Sequence, residues 1–309
     1  MTMQDEDAEI VLNATTFQQP LIKLAETLAQ KAKREAPALL SAPYFVSVDL
    51  HVLMRQAMNT YDLLFYVNAD EKRLNDCYWR SEYTMVMLPL IRGMIDCLYN
   101  VTAILQNPRE NGSWFRKSGF RKALEELDAH EAKYGGSPKW DAWIKKNRDG
   151  YDFLIRECGL TMAGVLTQPS WPTLGKYISD KQPGGTTTPH QDFLKTFTLN
   201  AWREYSAMAH GAFEGLMKVG MYYATDSMPH EERPKLDAVY PRILFMHLAR
   251  AAAILLCIIT ELQAHFHFDG AHINERIHKM WDALMPVFEV KELYKDRYSQ
   301  LMKEKGIES

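Results

Sequence analysis

Residues 251–259 read Ala-Ala-Ala-Ile-Leu-Leu-Cys-Ile-Ile and form the most apolar part of a longer stretch, residues 236–266, that contains few charged side chains. Ala and Leu favour helix, and a helix that is apolar on all sides is normally surrounded by other elements. Asp269-Gly270 ends the pattern. We therefore expect a long, central, buried helix at this point in the chain.

The flanking sequence repeats the helical pattern on both sides of this stretch. Apolar residues recur every three or four positions in 17–36 and 47–68, and Pro37 ends the first of these helices. A helix that extends to about residue 105 contains Pro89, which should kink or divide it. No segment of strand length alternates apolar and polar residues. The sequence predicts an all-α fold, a multi-helix bundle with long antiparallel helices.

Three regions follow one another in what we expect to be one continuous domain. Residues 1–68 form N-terminal helices that pack on the main bundle, 69–225 form a central helical region, and 226–309 form the C-terminal helices. The central region includes an irregular loop, 159–190, that is rich in Pro, Gly and Thr. Long loops in compact domains are often functional, so a lid and a disordered insert both fit this loop.

The charge of the chain does not favour binding to polyanions. The net charge is −3 over 309 residues, so contact with nucleic acid requires a local basic patch. Residues 133–148 contain such a group, with five Lys or Arg side chains and two tryptophans. This face could contact phosphates and bases, although we expect an amphipathic helix with its indoles in the core.

Several features predict a cytoplasmic protein without a membrane span. Residues 1–10 are acidic and lack the basic and apolar regions of a secretory signal. The longest apolar run, 251–259, is too short to cross a bilayer. The four cysteines are scattered, which predicts reduced thiols.

Residues 198–217 predict a helix that carries an unusual pair of side chains. Arg203 and His210 lie seven positions apart, nearly on one line along the helix, with Ser206 and Glu214 beside them. Arg presents a planar fork of donors to phosphate, and His moves protons near neutral pH. Together they suit cleavage of an RNA phosphodiester, in which His210 acts on the 2′-hydroxyl or the leaving oxygen and Arg203 stabilises the charge on phosphorus. This reaction needs no cofactor.

The spacing Arg203-x6-His210 resembles the Arg-x4-6-His motif of HEPN domains. Residues 90–96, with Arg92 and Asp96, together with Tyr205-Ser206 and His210, are similar to a group of helical bacterial proteins of unknown function. The resemblance implies a metal-independent endoribonuclease or a nucleotide- or RNA-binding effector of the stress or antiphage type. It implies catalysis by Arg203 and His210 and a homodimer in which two copies of this helix meet. The supporting residues would be Arg92, Asp96, Tyr205, Ser206 and Glu214.

A non-catalytic interpretation fits the same residues. Arg203 could pair with Glu214 or Asp96, and His210 could be a buried core imidazole, in a helical protein that serves dimerisation or partner binding. Apolar neighbours of Arg92 and Asp96 suggest that this i, i+4 pair faces inward and positions the Arg203–His210 helix. A second match, Arg242 to His247, is separated by apolar residues only, and we interpret it as core.

A third alternative is a metal-binding helical bundle. The side chains that suggest it have helical spacings typical of carboxylate and histidine ligands. They are Glu261, His265, His272, Glu275 and His278. Only one Glu-x-x-His motif is present, so a solvated turn between two helices is the simpler interpretation.

Overall fold

The computed structural model describes residues 13–39, 42–68, 80–180, 188–197, 203–209, 233–270 and 272–307. Of these, 86% are helical and none is in a strand, which confirms the all-α, multi-helix prediction. The helices are α1 (Gln19–Arg34), α2 (Ala36–Leu39), α3 (Tyr44–Asn68), α4 (Arg80–Gln106), α5 (Pro108–Tyr134), α6 (Pro138–Glu157), α7 (Met162–Leu166), α8 (Leu174–Ser179), α9 (Pro189–Phe197), α10 (Arg203–Ala209), α11 (Arg233–Phe266), α12 (Ile273–Leu284), α13 (Phe288–Leu293) and α14 (Ser299–Glu304). Short π-helical segments, Ala14–Gln18 and Tyr294–Tyr298, precede α1 and α14.

Helix α11 is the central helix that its composition predicts. Every residue from 251 to 264 is buried, on all sides of the helix. Helices α1, α3 and α4 pack against it, and one continuous hydrophobic core extends from Phe17 to Ile307. Burial of apolar surface on every side of one helix is the main stabilising term of this bundle.

Helices α1 and α4 show how the apolar spacing becomes packing. In α1, Leu21, Leu24 and Leu28 are fully buried, while lysines occupy the opposite face. Helix α4 continues through Pro89 and does not divide there. Proline removes one backbone hydrogen bond and its ring crowds the carbonyl four residues earlier, and the packing of the other turns of α4 offsets this cost.

Helices α5 and α6 form a hairpin joined by residues 135–137. The Asn107 side chain accepts a hydrogen bond from Glu110 N and caps α5. A small satellite core of Phe120, Leu124, Ile155 and Val165 holds the hairpin together at some distance from the turn. The prediction that both tryptophans of this segment lie in the core is wrong, since Trp140 is 37% and Trp143 44% exposed.

The described part of the stretch 159–190 is not uniformly irregular, because it includes α7 and α8. Between them, Trp171 donates from Nε1 to Asn100 Oδ1 at 2.9 Å and its ring packs near Tyr99 and Phe115. Thr161 and Thr173 cap the two short helices with their side-chain oxygens. This segment is therefore fastened to α4 and α5.

Two windows, 87–106 in α4 and 245–266 in α11, are long and apolar enough to cross a membrane by length and composition. Most of both windows is buried inside the bundle, 67% and 89% respectively, which is typical of core helices. The three described cysteines form no disulfide.

Candidate functional site

The two sequence elements of the resemblance lie on helices that touch. Helix α10, which begins at Arg203, packs against α4, which carries Arg92 and Asp96. Within α10, Tyr205 is fully buried and Ser206 is half-buried. The side chain of Arg203, together with His210 and Glu214, lies outside the described residues.

Arg92 and Asp96 form an i, i+4 ion pair on α4. The Arg92 side chain is 19% exposed and the Asp96 side chain 42%, so the pair lies at the edge of the core and is less enclosed than its apolar neighbours predict. Burial raises the pKa of Asp96, and the hydrogen bond and charge of Arg92 act in the opposite direction. Burial is the larger effect, so the pKa of Asp96 is raised despite the contact with Arg92.

A buried polar network attaches α10 to the central helix. A hydrogen bond of 3.1 Å joins the Tyr205 hydroxyl to His247 Nδ1, and Arg250 Nη1 donates to the same hydroxyl at 3.0 Å. Arg250 also binds both oxygens of Glu289, at 2.6 and 2.8 Å. Burial alone would lower the pKa of Arg250, but the hydrogen bonds that Arg250 donates to Glu289 and Tyr205, with the charges of those groups, outweigh it and raise the pKa. Tyr205 thus links α10 to α11, and Arg250 extends the network from α11 to α13.

The second Arg–His match of the sequence ends in this network. His247 is 4% exposed and its ring packs against Tyr205, in agreement with the prediction that it belongs to the core. The sequence did not reveal its partners, because Tyr205 and His247 are 42 positions apart and Glu289 is 39 positions from Arg250. No local spacing connects them.

A cavity of about 380 Å³ adjoins the Arg250–Glu289 pair. Its walls come from α9, α11 and α13 and include Phe193, Phe197 and Ile254. Its volume is within the range of small-ligand pockets, about 300–1,000 Å³. Because Glu289 already neutralises Arg250, this cavity offers mainly apolar contact.

A second, more open cleft of about 650 Å³ lies along α5 and is lined by Asp49, Arg116 and Trp171 among others. Arg116 Nε donates to Asp49 Oδ2 at 2.9 Å. Burial raises the pKa of Asp49 to about 6, although the charge of Arg116 and its hydrogen bond lower it. A carboxyl that titrates near neutral pH in a cleft is a feature of many functional sites, and the sequence pattern did not single it out.

The five residues proposed as metal ligands do not converge on one site: four have hydrogen-bond partners, and His265 lies on the surface. Arg297 binds both oxygens of the buried Glu261, at 2.6 and 3.0 Å. His272 donates to Glu275 at 2.8 Å on the surface, and His278 Nε2 donates to the Ile307 carbonyl oxygen at 2.7 Å. His265 is exposed. In the described part of the chain, no group of three His, Cys, Asp or Glu side chains is arranged to hold a metal ion.

No family model, curated protein or solved structure matches this chain. The functional argument therefore rests on the resemblance of two sequence elements and on the contact between the helices that carry them, α4 and α10.

Proposed function

We propose that this chain is a HEPN-like helical protein that cleaves RNA without a metal ion, with Arg203 and His210 as its catalytic residues. The observation that carries the proposal is the packing of α10 on α4. It joins the two helices whose sequences, far apart in the chain, resemble the same group of proteins.

The anchoring of Tyr205 also supports the proposal. Tyr205 is fully buried, whereas Ser206 and Ala207 are half-buried and Ala209 is exposed. The Tyr205 side chain thus holds α10, the helix that begins at Arg203, against the bundle.

The reaction uses a nucleophile that RNA itself supplies. His210 accepts the proton of the 2′-hydroxyl as the 2′-oxygen forms a bond to phosphorus, and the bond from phosphorus to the 5′-oxygen breaks. The leaving oxygen receives a proton from the imidazolium of a second His210 or from water. Arg203 stabilises the additional negative charge on the phosphoryl oxygens. The products are a 2′,3′-cyclic phosphate and a 5′-hydroxyl.

The test is cleavage of single-stranded RNA in EDTA by the wild type, by His210→Ala and by Arg203→Ala. Removal of a general acid–base group should lower the rate by about 10²- to 10⁴-fold, and removal of the Arg charge by about 10²- to 10³-fold. The matched controls are His272→Ala and Arg109→Ala. They remove an exposed imidazole at the start of α12 and an exposed guanidinium from α5. Both controls should cleave like the wild type.

A substrate control isolates the mechanism. RNA with 2′-deoxy substitutions at the cleaved positions should be resistant, because it lacks the attacking oxygen. If His210→Ala cleaves as fast as the wild type, or if no protein cleaves any RNA, the proposal is refuted. A change in oligomeric state or melting temperature in Arg203→Ala and His210→Ala, with no cleavage by the wild type, would instead support the non-catalytic alternative.

A further inference from the structure

The end of the α5–α6 hairpin carries a cluster of aromatic rings, which we call the aromatic tip. It consists of the exposed Trp140 and Trp143 and the half-buried His130 and Tyr134. The rings of Tyr134 and Trp140 are stacked, with centroids 4.5 Å apart and planes 12° apart. Trp143 meets Trp140 edge to face at 5.7 Å, and His130 lies 6.2 Å from Trp140 at 25°. Despite this mutual packing, 37% of Trp140 and 44% of Trp143 stay exposed.

Stacking contributes to the order of the tip. Buried Leu127 and Ile144 lie on the two helices beside it, and the rings of the tip pack on one another. Aromatic pairs in offset or edge-to-face geometry stabilise each other beyond their buried area. The exposed parts of the two indoles are accessible to a partner, and contiguous exposed apolar surface of this kind marks interaction sites.

The charge around the aromatic tip is positive in a chain whose net charge is negative. Lys133, Lys139, Lys145 and Lys146 are all exposed, and no ion pair is present for any of them within the described residues. Arg148 binds Asp128 and Glu131 at 2.8 and 2.9 Å, and Asp141 and Asp149 are exposed. From Asp128 to Asp149, five Lys or Arg side chains face four Asp or Glu side chains, an excess of one positive charge. Lys133 Nζ lies 5.0 Å from the centroid of the Tyr134 ring. The ammonium groups of Lys139, Lys145 and Lys146 project into solvent, where they can contact an anion.

We propose that the aromatic tip binds single-stranded RNA, by stacking bases on Trp140 and Trp143 and by contacts from the surrounding lysines to phosphates. Flat exposed rings interleaved with cations are the surface that single strands recognise without sequence preference. An apolar interface with a second copy would bury unpaired lysines against like charges, which is unfavourable. This inference rests on the proposed function, because it assigns the substrate-binding surface of the same RNA-cleaving protein.

The experiment measures binding separately from cleavage. The probe is a fluorescently labelled 2′-O-methyl oligouridylate, which the proposed chemistry does not cleave, and the readout is fluorescence anisotropy with wild-type protein. The double variant Trp140→Ala/Trp143→Ala should raise Kd about tenfold or more, because each stacked base contributes on the order of 1–3 kcal/mol. The double variant Lys145→Glu/Lys146→Glu should also weaken binding and reduce its dependence on salt, by about 0.7 in the log–log slope for each lost phosphate contact.

Matched controls share the chemistry of these variants but not the location. Phe153→Ala removes an aromatic ring that is 55% exposed on the same helix α6, outside the tip. Lys303→Glu/Lys305→Glu makes the same change of charge at exposed positions at the C-terminal end of the chain. Both should keep Kd within about twofold of the wild type. Circular dichroism should show unchanged melting temperatures for the two lysine variants and for Phe153→Ala, whose side chains are exposed. The variant Trp140→Ala/Trp143→Ala removes stacked rings and should lower the melting temperature slightly, so the variant Lys145→Glu/Lys146→Glu tests the surface independently of that loss.

The outcomes separate this inference from the proposed function. If the tip variants bind the oligonucleotide as tightly as the wild type, the inference is wrong, whether or not the protein cleaves RNA. It is also wrong if the tip instead binds vesicles of phosphatidylserine and phosphatidylcholine with no affinity for the oligonucleotide, or if the tip variants abolish self-association while oligonucleotide binding is absent. If binding of the oligonucleotide depends on the aromatic tip but the protein cleaves no RNA, the binding inference is supported and the proposed ribonuclease function is refuted.

Discussion

Tyr205 offers the sharpest test of how the fold positions α10. The substitution Tyr205→Phe removes one oxygen atom and keeps the ring that packs on His247. That oxygen has a hydrogen bond to His247 Nδ1 at 3.1 Å and accepts one from the Arg250 guanidinium at 3.0 Å. A neutral hydrogen bond contributes about 0.5–1.5 kcal/mol and one to a charged group about 1.5–3. Since Glu289 still neutralises Arg250, we expect Tyr205→Phe to lower the free energy of unfolding by about 1–3 kcal/mol.

Tyr61 is the matched control for this substitution. Like Tyr205, it is 0% exposed, but its hydroxyl has no hydrogen-bond partner in the described part of the chain. Burial of the unpaired hydroxyl disfavours folding, so Tyr61→Phe should leave stability unchanged or raise it by about 1 kcal/mol. The two variants make the same chemical change at two fully buried sites, and only the partners of the oxygen differ.

Urea denaturation followed by circular dichroism measures both effects. If the slope m is unchanged, the midpoint concentration should fall for Tyr205→Phe and stay or rise for Tyr61→Phe. Equal shifts in the two variants, or a loss below about 0.5 kcal/mol for Tyr205→Phe, would show that the network does not fasten α10 to α11. The support that the anchoring of α10 gives to the proposed function would then be lost.

Two further predictions concern the ion pair and the histidine inside the core. Glu261→Gln leaves the Arg297 charge buried without its bidentate partner, and it should lower the free energy of unfolding by about 3–5 kcal/mol. The control Glu292→Gln breaks the exposed pair with Lys295 and should lower it by less than about 1 kcal/mol. Similar losses for the two variants in urea denaturation would contradict this prediction. Burial lowers the pKa of His190 from 6.5 to about 4. Between pH 6.5 and about 4, the unfolded chain therefore binds a proton at this residue that the folded protein does not bind. The free energy of unfolding should fall by up to about 3 kcal/mol as the pH drops through this range. His190→Phe should remove that part of the pH dependence, and parallel stability curves for the two proteins would refute the assignment.

Helical periodicity predicted most of the fold because it reports which face of each segment is apolar. The buried residues of α1 and the complete burial of the middle of α11 follow directly from this pattern. Periodicity does not report which element covers an apolar face. For this reason the indoles of Trp140 and Trp143, on a segment with ordinary amphipathic spacing, were predicted in the core but lie on the surface.

The candidate site was harder to predict because its decisive contacts join distant parts of the chain. Glu261 has the spacing of a metal ligand relative to His265, but its partner is Arg297, 36 positions away. The spacing of an ion pair on one helix also does not reveal how deeply it is buried, and the Arg92–Asp96 pair proved to be less enclosed than expected. Pairwise tertiary contacts of this kind depend on the packing of helices, which local sequence does not specify.

The proposed chemistry and the proposed binding surface lie on different parts of one connected structure. Helix α4 packs against both α10 and α5, so it connects the helix of Arg203 to the hairpin. Along α5, the satellite core at Phe120 and the aromatic tip at Tyr134 are separated by roughly 20 Å of helix. The net charge of −3 disfavours RNA over most of the surface, whereas the lysines around the tip attract it locally. Because the proposed binding residues and the proposed catalytic residues are different residues in different parts of the chain, affinity and cleavage can be altered by separate substitutions.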